Sequence, residues 1–220
     1  LITRMESKIG TAVCGTESME NCPKNLLRVC GCEYSPNEVY DKVMKNKELL
    51  SGGVTFSGGE PLSTGNFLTE CLALFKGRLH TAVQTCGYAD SAFFTEVCGL
   101  CDYFLYDIKL ADDREHIKYT GVSNRQILEN LKILKRYGKD FVIRIPLIPK
   151  VTDTEKNINN ICRILKDNDI SYAELMPYNK MAGGKYKLLG RKYCPAFDET
   201  VEVNIREDIW KQNSIKIKIL

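Results

Sequence analysis

The sequence predicts an α/β protein whose strands form a parallel sheet or a barrel. Short apolar segments bounded by turn residues alternate with segments whose apolar residues recur every three or four positions. Continuous apolar runs such as Tyr-Phe-Leu-Tyr at 103–106 are typical of strands buried on both faces. Repeated strand–helix units imply right-handed crossovers, and therefore a parallel sheet or barrel.

The individual elements follow from the same patterns. Candidate strands lie at residues 53–56, 81–85, 103–108, 141–145 and 173–176. Candidate helices lie at residues 37–47, 66–75, 91–98, 124–137 and 157–166. Pro36 favours a helix start, and the second helix places Leu68, Leu72 and Phe75 on one face. Residues 214–220 alternate Ile with Ser and Lys, which predicts an edge strand.

Charge and hydropathy exclude several function classes. The formal net charge of the 220 residues is +3, with basic and acidic residues interleaved, so no nucleic-acid footprint is expected. Apolar runs have strand length, which predicts no membrane span. Residues 1–4 start no signal peptide, so we expect a cytoplasmic protein. Because no initiator Met is present, a fragment, a processed product and a trimmed chain all remain open.

Ten cysteines are scattered along this pattern. Without a secretory signal, reduced thiols in a reducing or anaerobic cytosol are expected rather than disulfides. Four are expected to act as small buried hydrophobic residues: Cys71, Cys86, Cys162 and Cys194. Cys98 and Cys101 have the spacing of a redox or zinc pair, but no second pair accompanies them, so a structural role is favoured.

The first 34 residues differ in composition from the rest. They show little periodicity and contain Cys14, Cys22, Cys30 and Cys32. The chain is therefore divided into residues 1–34 and a barrel at residues 35–220, and the first part is expected to be irregular.

A Gly-rich segment follows the first strand. It reads Ser-Gly-Gly-Glu-Pro at residues 57–61. Reactive groups in βα folds gather at the carboxyl ends of strands, and paired glycines let a ligand approach the backbone. Glu60 would support this loop or bind a cation. A plain Gly-rich turn is an alternative, and a phosphate loop of another barrel enzyme is disfavoured because no Lys follows at P-loop spacing.

Six ordered segments together indicate a family. They are GGVTFSGGEPL at 52–62, TCGYA at 85–89, FLYDIK at 104–109, YTGVSN with ILENL at 119–131, IRIPLIP with Thr152-Asp153 at 143–153, and ELMPYN with Lys185-Tyr186 and Leu189-Gly190 at 174–190. From about Cys22 to Tyr193 the chain resembles the glycyl-radical enzyme activating proteins, the pyruvate formate-lyase activating enzyme family of the radical S-adenosylmethionine (SAM) superfamily.

This resemblance implies a fold and a reaction. The fold would be a partial (β/α)6 radical SAM barrel, an incomplete TIM-like barrel with the first strand missing. The reaction would be reductive cleavage of SAM at a [4Fe–4S] cluster, generating a glycyl radical on a partner glycyl-radical enzyme. A flavodoxin or ferredoxin would donate the electron.

The resemblance also implies site residues. The cofactor-binding set is Ser57, Gly58, Gly59, Glu60, Thr85, Asp107, Lys109, Arg144 and Asn179, with Lys109 and Arg144 as catalytic candidates. Asp107 and Lys109 lie two positions apart, on one face of a strand, and would match the zwitterionic end of SAM. A surface ion pair is the alternative for these two. Arg144 stands in an apolar strand, so a partner is required.

Two departures from the family bear on activity. Gln84 stands where many relatives carry an acid of a monovalent-cation site, which makes cation binding doubtful. The C-x3-C-x2-C cluster motif is absent from these residues. Cys14 and Cys22-Pro23 resemble a remnant of a ferredoxin-like cysteine-rich insert, not an intact cluster site. This chain alone is therefore expected to be inactive. A degenerate or truncated homologue that binds SAM or a partner without catalysis is the alternative.

Overall fold

The computed structural model describes residues 32–183, residue 186 and residues 192–220. Cys14 and Cys22 lie outside this range, as does nearly all of the segment 1–34. The predicted remnant insert, its irregularity and the domain division at residue 34 therefore stay predictions.

Six strands form one parallel sheet in chain order. They are β1 (Val54–Phe56), β2 (Thr81–Thr85), β3 (Tyr103–Asp107), β4 (Asp140–Leu147), β5 (Tyr172–Pro177) and β6 (Lys216–Ile219). Among the described residues, β1 and β6 are the two edge strands and do not pair with each other, so this sheet is open. The predicted partial barrel is confirmed, and so is the edge position of the last strand.

Seven α-helices lie in the described ranges given above. They are α1 (Pro36–Lys45), α2 (Asn66–Phe75), α3 (Ser91–Leu100), α4 (Asp113–Thr120), α5 (Arg125–Tyr137), α6 (Glu155–Asp167) and α7 (Glu207–Gln212). Short 3₁₀ helices occupy Lys47–Leu49, Pro61–Thr64 and Lys180–Gly183. Sequence patterns missed α4 and α7. α4 buries only His116, and α7 spans six residues, so neither carries a readable apolar face.

Helix ends carry local signals. Ser35 forms a capping box with Glu38 at the start of α1, since each side chain accepts a hydrogen bond from the other residue's backbone N–H. Pro36 then occupies the first helical turn, as predicted. α5 ends at Gly138, whose left-handed backbone is the usual helix stop.

The core lies between the sheet and its helices. Because the strands follow one another in chain order and crossovers are right-handed, the helices lie on the same face of the sheet. Phe104 and Tyr106 of β3 are fully buried in this core, while Tyr103, Leu105 and Asp107 are only half-buried. The expectation that residues 103–106 are buried on both faces is therefore wrong. Their second face belongs to the open side of the sheet.

No helix in the described ranges combines the length and apolar character needed to cross a bilayer.

Candidate functional site

Most of the predicted site residues lie at the carboxyl-terminal end of the sheet, which is called the site edge below. Since all strands are parallel, β1 to β5 all terminate at this end. Glu60, beyond β1, reaches Thr85 at the end of β2, and Asp107 at the end of β3 lies in register with Arg144 of β4. This placement agrees with the rule that reactive groups of βα folds gather at the carboxyl ends of strands.

Glu60 braces the Gly-rich loop. Its Oε1 accepts hydrogen bonds from Leu62 N at 3.1 Å and from Thr85 Oγ1, and its Oε2 accepts one from Cys86 N at 2.9 Å. Thr85 Oγ1 in turn accepts one from Gly87 N at 2.9 Å. The carboxylate thus ties the loop after β1 to the end of β2, and of the two roles considered for Glu60 this geometry favours support.

The two glycines leave open space above the loop. Gly58 has a φ of 136°, a region that side chains disfavour, and a Cβ added at Gly59 would meet nothing within 4 Å. Both residues are exposed. Beside them, Ser57 Oγ donates to Gln84 Oε1 at 3.2 Å, so the Gln84 side chain is hydrogen-bonded to the loop. A ligand can therefore lie against the backbone here.

We expect Glu60→Ala to loosen this loop. Three donors would lose one shared acceptor, and an unmet donor of this kind costs about 1–3 kcal/mol. The free energy of unfolding should fall by that amount, and chemical denaturation measures the loss. Glu129→Ala removes an exposed carboxylate and is the control; equal behaviour of the two variants would contradict the bracing role.

Asp107 and Lys109 form a loose pair. Lys109 Nζ lies 3.7 Å from Asp107 Oδ2, and the Asp107 side chain is only 16% exposed. Its other oxygen, Oδ1, is buried without a hydrogen-bond partner in the described residues. Burial raises the pKa of Asp107, while Lys109 and Arg144 oppose the rise. Asp107 is thus a mostly buried carboxylate with one oxygen paired loosely to Lys109 and the other without a partner in the described residues.

Arg144 has a partner that sequence reasoning did not single out. Its Nε donates to Glu174 Oε2 on β5 at 3.0 Å, and both side chains are mostly buried. The need for a partner was predicted from the apolar strand around Arg144, but the partner was not. Only the register of β4 and β5 places Glu174 beside it.

Four charged residues therefore form one row across the sheet. The register joins Asp107 to Arg144, Arg144 to Glu174, and Glu174 to Lys218 of β6. Lys218 Nζ lies 3.8 Å from Glu174 Oε1. The signs alternate along this charged row, so each charge has an opposite neighbour in a partly desolvated place.

Asn179 stands apart from these groups. It is exposed, lies beyond the end of β5, and accepts a hydrogen bond from Met181 N at 2.9 Å. No hydrogen bond in the described part of the chain links it to the Gly-rich loop or the charged row. Its role near a ribose stays a prediction.

The cysteines within the described ranges form no metal site. Cys98 and Cys101 are free and buried, and burial raises their pKa values to about 12 and about 11. In those ranges no cluster of three or more His, Cys, Asp or Glu residues could hold a metal ion. Cys71 and Cys162 are buried as predicted, and Cys86 is half-buried. The prediction for Cys194 is wrong: it is exposed, because it lies in an irregular segment outside the core.

Comparison with known proteins places this arrangement in a family. Residues 22–160 match the model of the radical SAM superfamily. The chain belongs to the radical SAM superfamily. Members use SAM together with a [4Fe–4S] cluster. This chain is 38% identical over 176 residues to trans-4-hydroxy-L-proline dehydratase activating enzyme of Clostridioides difficile. The aligned segment covers 77% of this chain and 58% of the relative.

Other relatives agree. The chain is 36% identical to isethionate sulfite-lyase activating enzyme of Oleidesulfovibrio alaskensis, covering 81% of this chain and 60% of the relative. The fold resembles a domain of pyruvate-formate lyase-activating enzyme from Bacteroides vulgatus, with TM-score 0.61, 28% identity, and coverage of 77% and 99%. It also resembles SAM-bound SuiB of Streptococcus suis in fold, with TM-score 0.64, 14% identity, and coverage of 88% and 44%.

The two cofactors of the superfamily fit these residues unequally. SAM fits, because the unpartnered Asp107 Oδ1 and the open face of Gly59 offer an acceptor and space at the site edge. The cluster does not fit, because the 220 residues contain no C-x3-C-x2-C motif. The chain spans about three-fifths of the length of the curated relatives it matches, 58% and 60% in the two cases above.

Proposed function

We propose that this chain supplies the SAM-binding part of an activating enzyme that generates a glycyl radical on a partner enzyme. The observation that carries the proposal is the unpartnered, buried Asp107 Oδ1, which lies beside two cationic side chains at the site edge, which holds the Gly-rich loop. Membership of the radical SAM superfamily and similarity to activating enzymes support it.

Each residue type matches one part of the ligand. The ammonium of SAM can donate hydrogen bonds to Asp107 Oδ1 and to the backbone carbonyls of the loop. Lys109 and Arg144 are donors for its carboxylate, and charge-assisted bonds of this kind are the stronger ones. In the proposed whole enzyme, SAM cleaved by one electron from a cluster that these residues do not hold would supply the radical that takes a hydrogen atom from a backbone glycine. The residues described here bind and orient it.

The partner proteins can be proposed as classes of protein, not as individual enzymes. The relatives are named as activating enzymes of a dehydratase and of a sulfite-lyase, which are different targets. We therefore propose a glycyl-radical enzyme as the partner, with a flavodoxin or ferredoxin as the electron donor, in the cytoplasm. No membrane or nucleic-acid partner is proposed.

A second function is favoured by one observation. Because the 220 residues lack the cluster motif, a homologue that binds SAM or a partner without catalysis fits this sequence as well. SAM binding is common to both functions, so it is tested first.

We expect Asp107→Ala, Lys109→Ala and Arg144→Ala each to weaken SAM binding by about 1–3 kcal/mol, the usual cost of a lost charge-assisted bond. Equilibrium dialysis with labelled SAM measures the dissociation constants. Lys132→Ala, which removes an exposed lysine paired with Glu129 on α5, is the matched control and should bind like the original chain.

Two results would refute this assignment. One is the absence of SAM binding by the original chain. The other is affinity that stays unchanged in all three variants.

A further inference from the structure

Two carboxylates of the charged row are placed to pair with Arg144. Asp107 and Glu174 flank it on adjacent strands, in register on either side. Side chains directly opposite each other on neighbouring strands are close enough to pair. Yet Arg144 bonds Glu174 at 3.0 Å and forms no ion pair with Asp107, although both residues are fully described.

We propose that Glu174 is a positioning residue that holds Arg144 away from Asp107 and so keeps both groups available to SAM. This inference rests on the proposed function and names a further residue of the same site.

The bond geometry supports this role. Glu174 takes the Nε of Arg144, and no described residue takes either of the two terminal amino groups of the guanidinium. A guanidinium has five N–H donors in a planar fork, so fixing Nε fixes the plane and leaves the fork for another anion. Neither terminal nitrogen is buried without a partner, whereas Asp107 Oδ1 is. The guanidinium therefore faces accessible space next to an unused acceptor.

Lys218 completes the arrangement from the edge strand. It lies 3.8 Å from the second oxygen of Glu174 and is 61% exposed, whereas Glu174 is 13% exposed. The Glu174 carboxylate is therefore held between two opposite charges, one near each of its oxygens. Without Glu174, the anion in register with Arg144 on its other side is Asp107. Their pairing would consume the acceptor and the donor that SAM needs.

The experiment combines a mutant cycle with a spectroscopic signal. Glu174→Ala should weaken SAM binding about tenfold. Glu174→Gln keeps an acceptor for Nε and should bind within about threefold of the original chain. In an Arg144→Ala background, Glu174→Ala should have no further effect, because its role acts through Arg144. Glu129→Ala is the control carboxylate.

The Nε–H resonance of Arg144 in ¹⁵N–¹H spectra reports the positioning without SAM. We expect slow hydrogen exchange of this N–H in the original chain and fast exchange in Glu174→Ala. Lys216→Ala is the control and should also exchange slowly, because it removes a lysine of β6, the strand of Lys218, that is not part of the charged row. If Glu174→Ala fails to fold, Glu174→Asp takes its place, since the shorter side chain withdraws the carboxylate and should weaken binding at least threefold.

The outcomes are distinguishable. SAM binding that is unchanged in the Glu174 variants, or losses that add fully in the double variant, would overturn the positioning role alone. No SAM binding by the original chain would overturn the proposed function together with it.

Discussion

Gly87→Ala is expected to remove much of the stability of this fold. An added Cβ would lie 1.8 Å from the Tyr106 hydroxyl oxygen and 2.3 Å from its Cζ, and Gly87 has a φ of +74°. Tyr106 cannot withdraw easily, because it is fully buried and its hydroxyl donates to Ile127 O at 2.6 Å. Backbone strain and overpacking each cost about 1–3 kcal/mol, so we expect a loss of about 2–6 kcal/mol.

Urea denaturation measures this loss. Gly77→Ala is the matched control, because Gly77 has a similar φ of +72° but nothing within 4 Å of the added Cβ. It should cost only the left-handed backbone term, about 1–2 kcal/mol. Equal losses in the two variants would show that the contact with Tyr106 relaxes freely. The substitution would also disturb the hydrogen bonds of the candidate site, because Gly87 N donates to Thr85 Oγ1, which in turn donates to Glu60.

The 220-residue chain is expected to form no 5′-deoxyadenosine from SAM. The assay adds dithionite to the chain after anaerobic iron–sulfur reconstitution. No product is expected, because the sequence lacks the C-x3-C-x2-C ligands of the required cluster. Mass spectrometry of the quenched reaction measures the product. An activating enzyme that carries the motif, treated in the same way, is the positive control.

The same samples should still bind SAM, which separates binding from chemistry. Product formed in proportion to the chain would mean that some of its ten cysteines assemble a cluster, and the missing motif would then not be decisive. Iron and acid-labile sulfide analysis of the reconstituted chain would identify that case directly.

Much of the fold could be predicted because its signals are local. The strand at Thr81–Thr85 and the helix at Asn66–Phe75 have the predicted bounds, since apolar periodicity and flanking turns act within a few residues. The other predicted elements shift by a few residues at their ends. α4 was missed because it buries only His116 and therefore shows no apolar periodicity.

The positions of the candidate site residues at one end of the sheet could be predicted better than the hydrogen bonds between them. The segments around Glu60, Asp107 and Arg144 were recognised as a family pattern, and the structure places all three at the site edge. The sequence left two roles open for Glu60, and the hydrogen bonds favour the brace. The exposure of Cys194 was not predictable, because burial depends on what packs over a segment.

The sequence by itself determined the order of strands and helices, the superfamily, and the absence of the cluster motif from these residues. Each depends on residue identity and spacing along the chain. Only the tertiary structure decided which charge Arg144 bonds and which oxygen of Asp107 stays free. Arg144 and Glu174 are 30 positions apart, and the register between parallel strands, fixed by backbone hydrogen bonds and core packing, is what makes them neighbours.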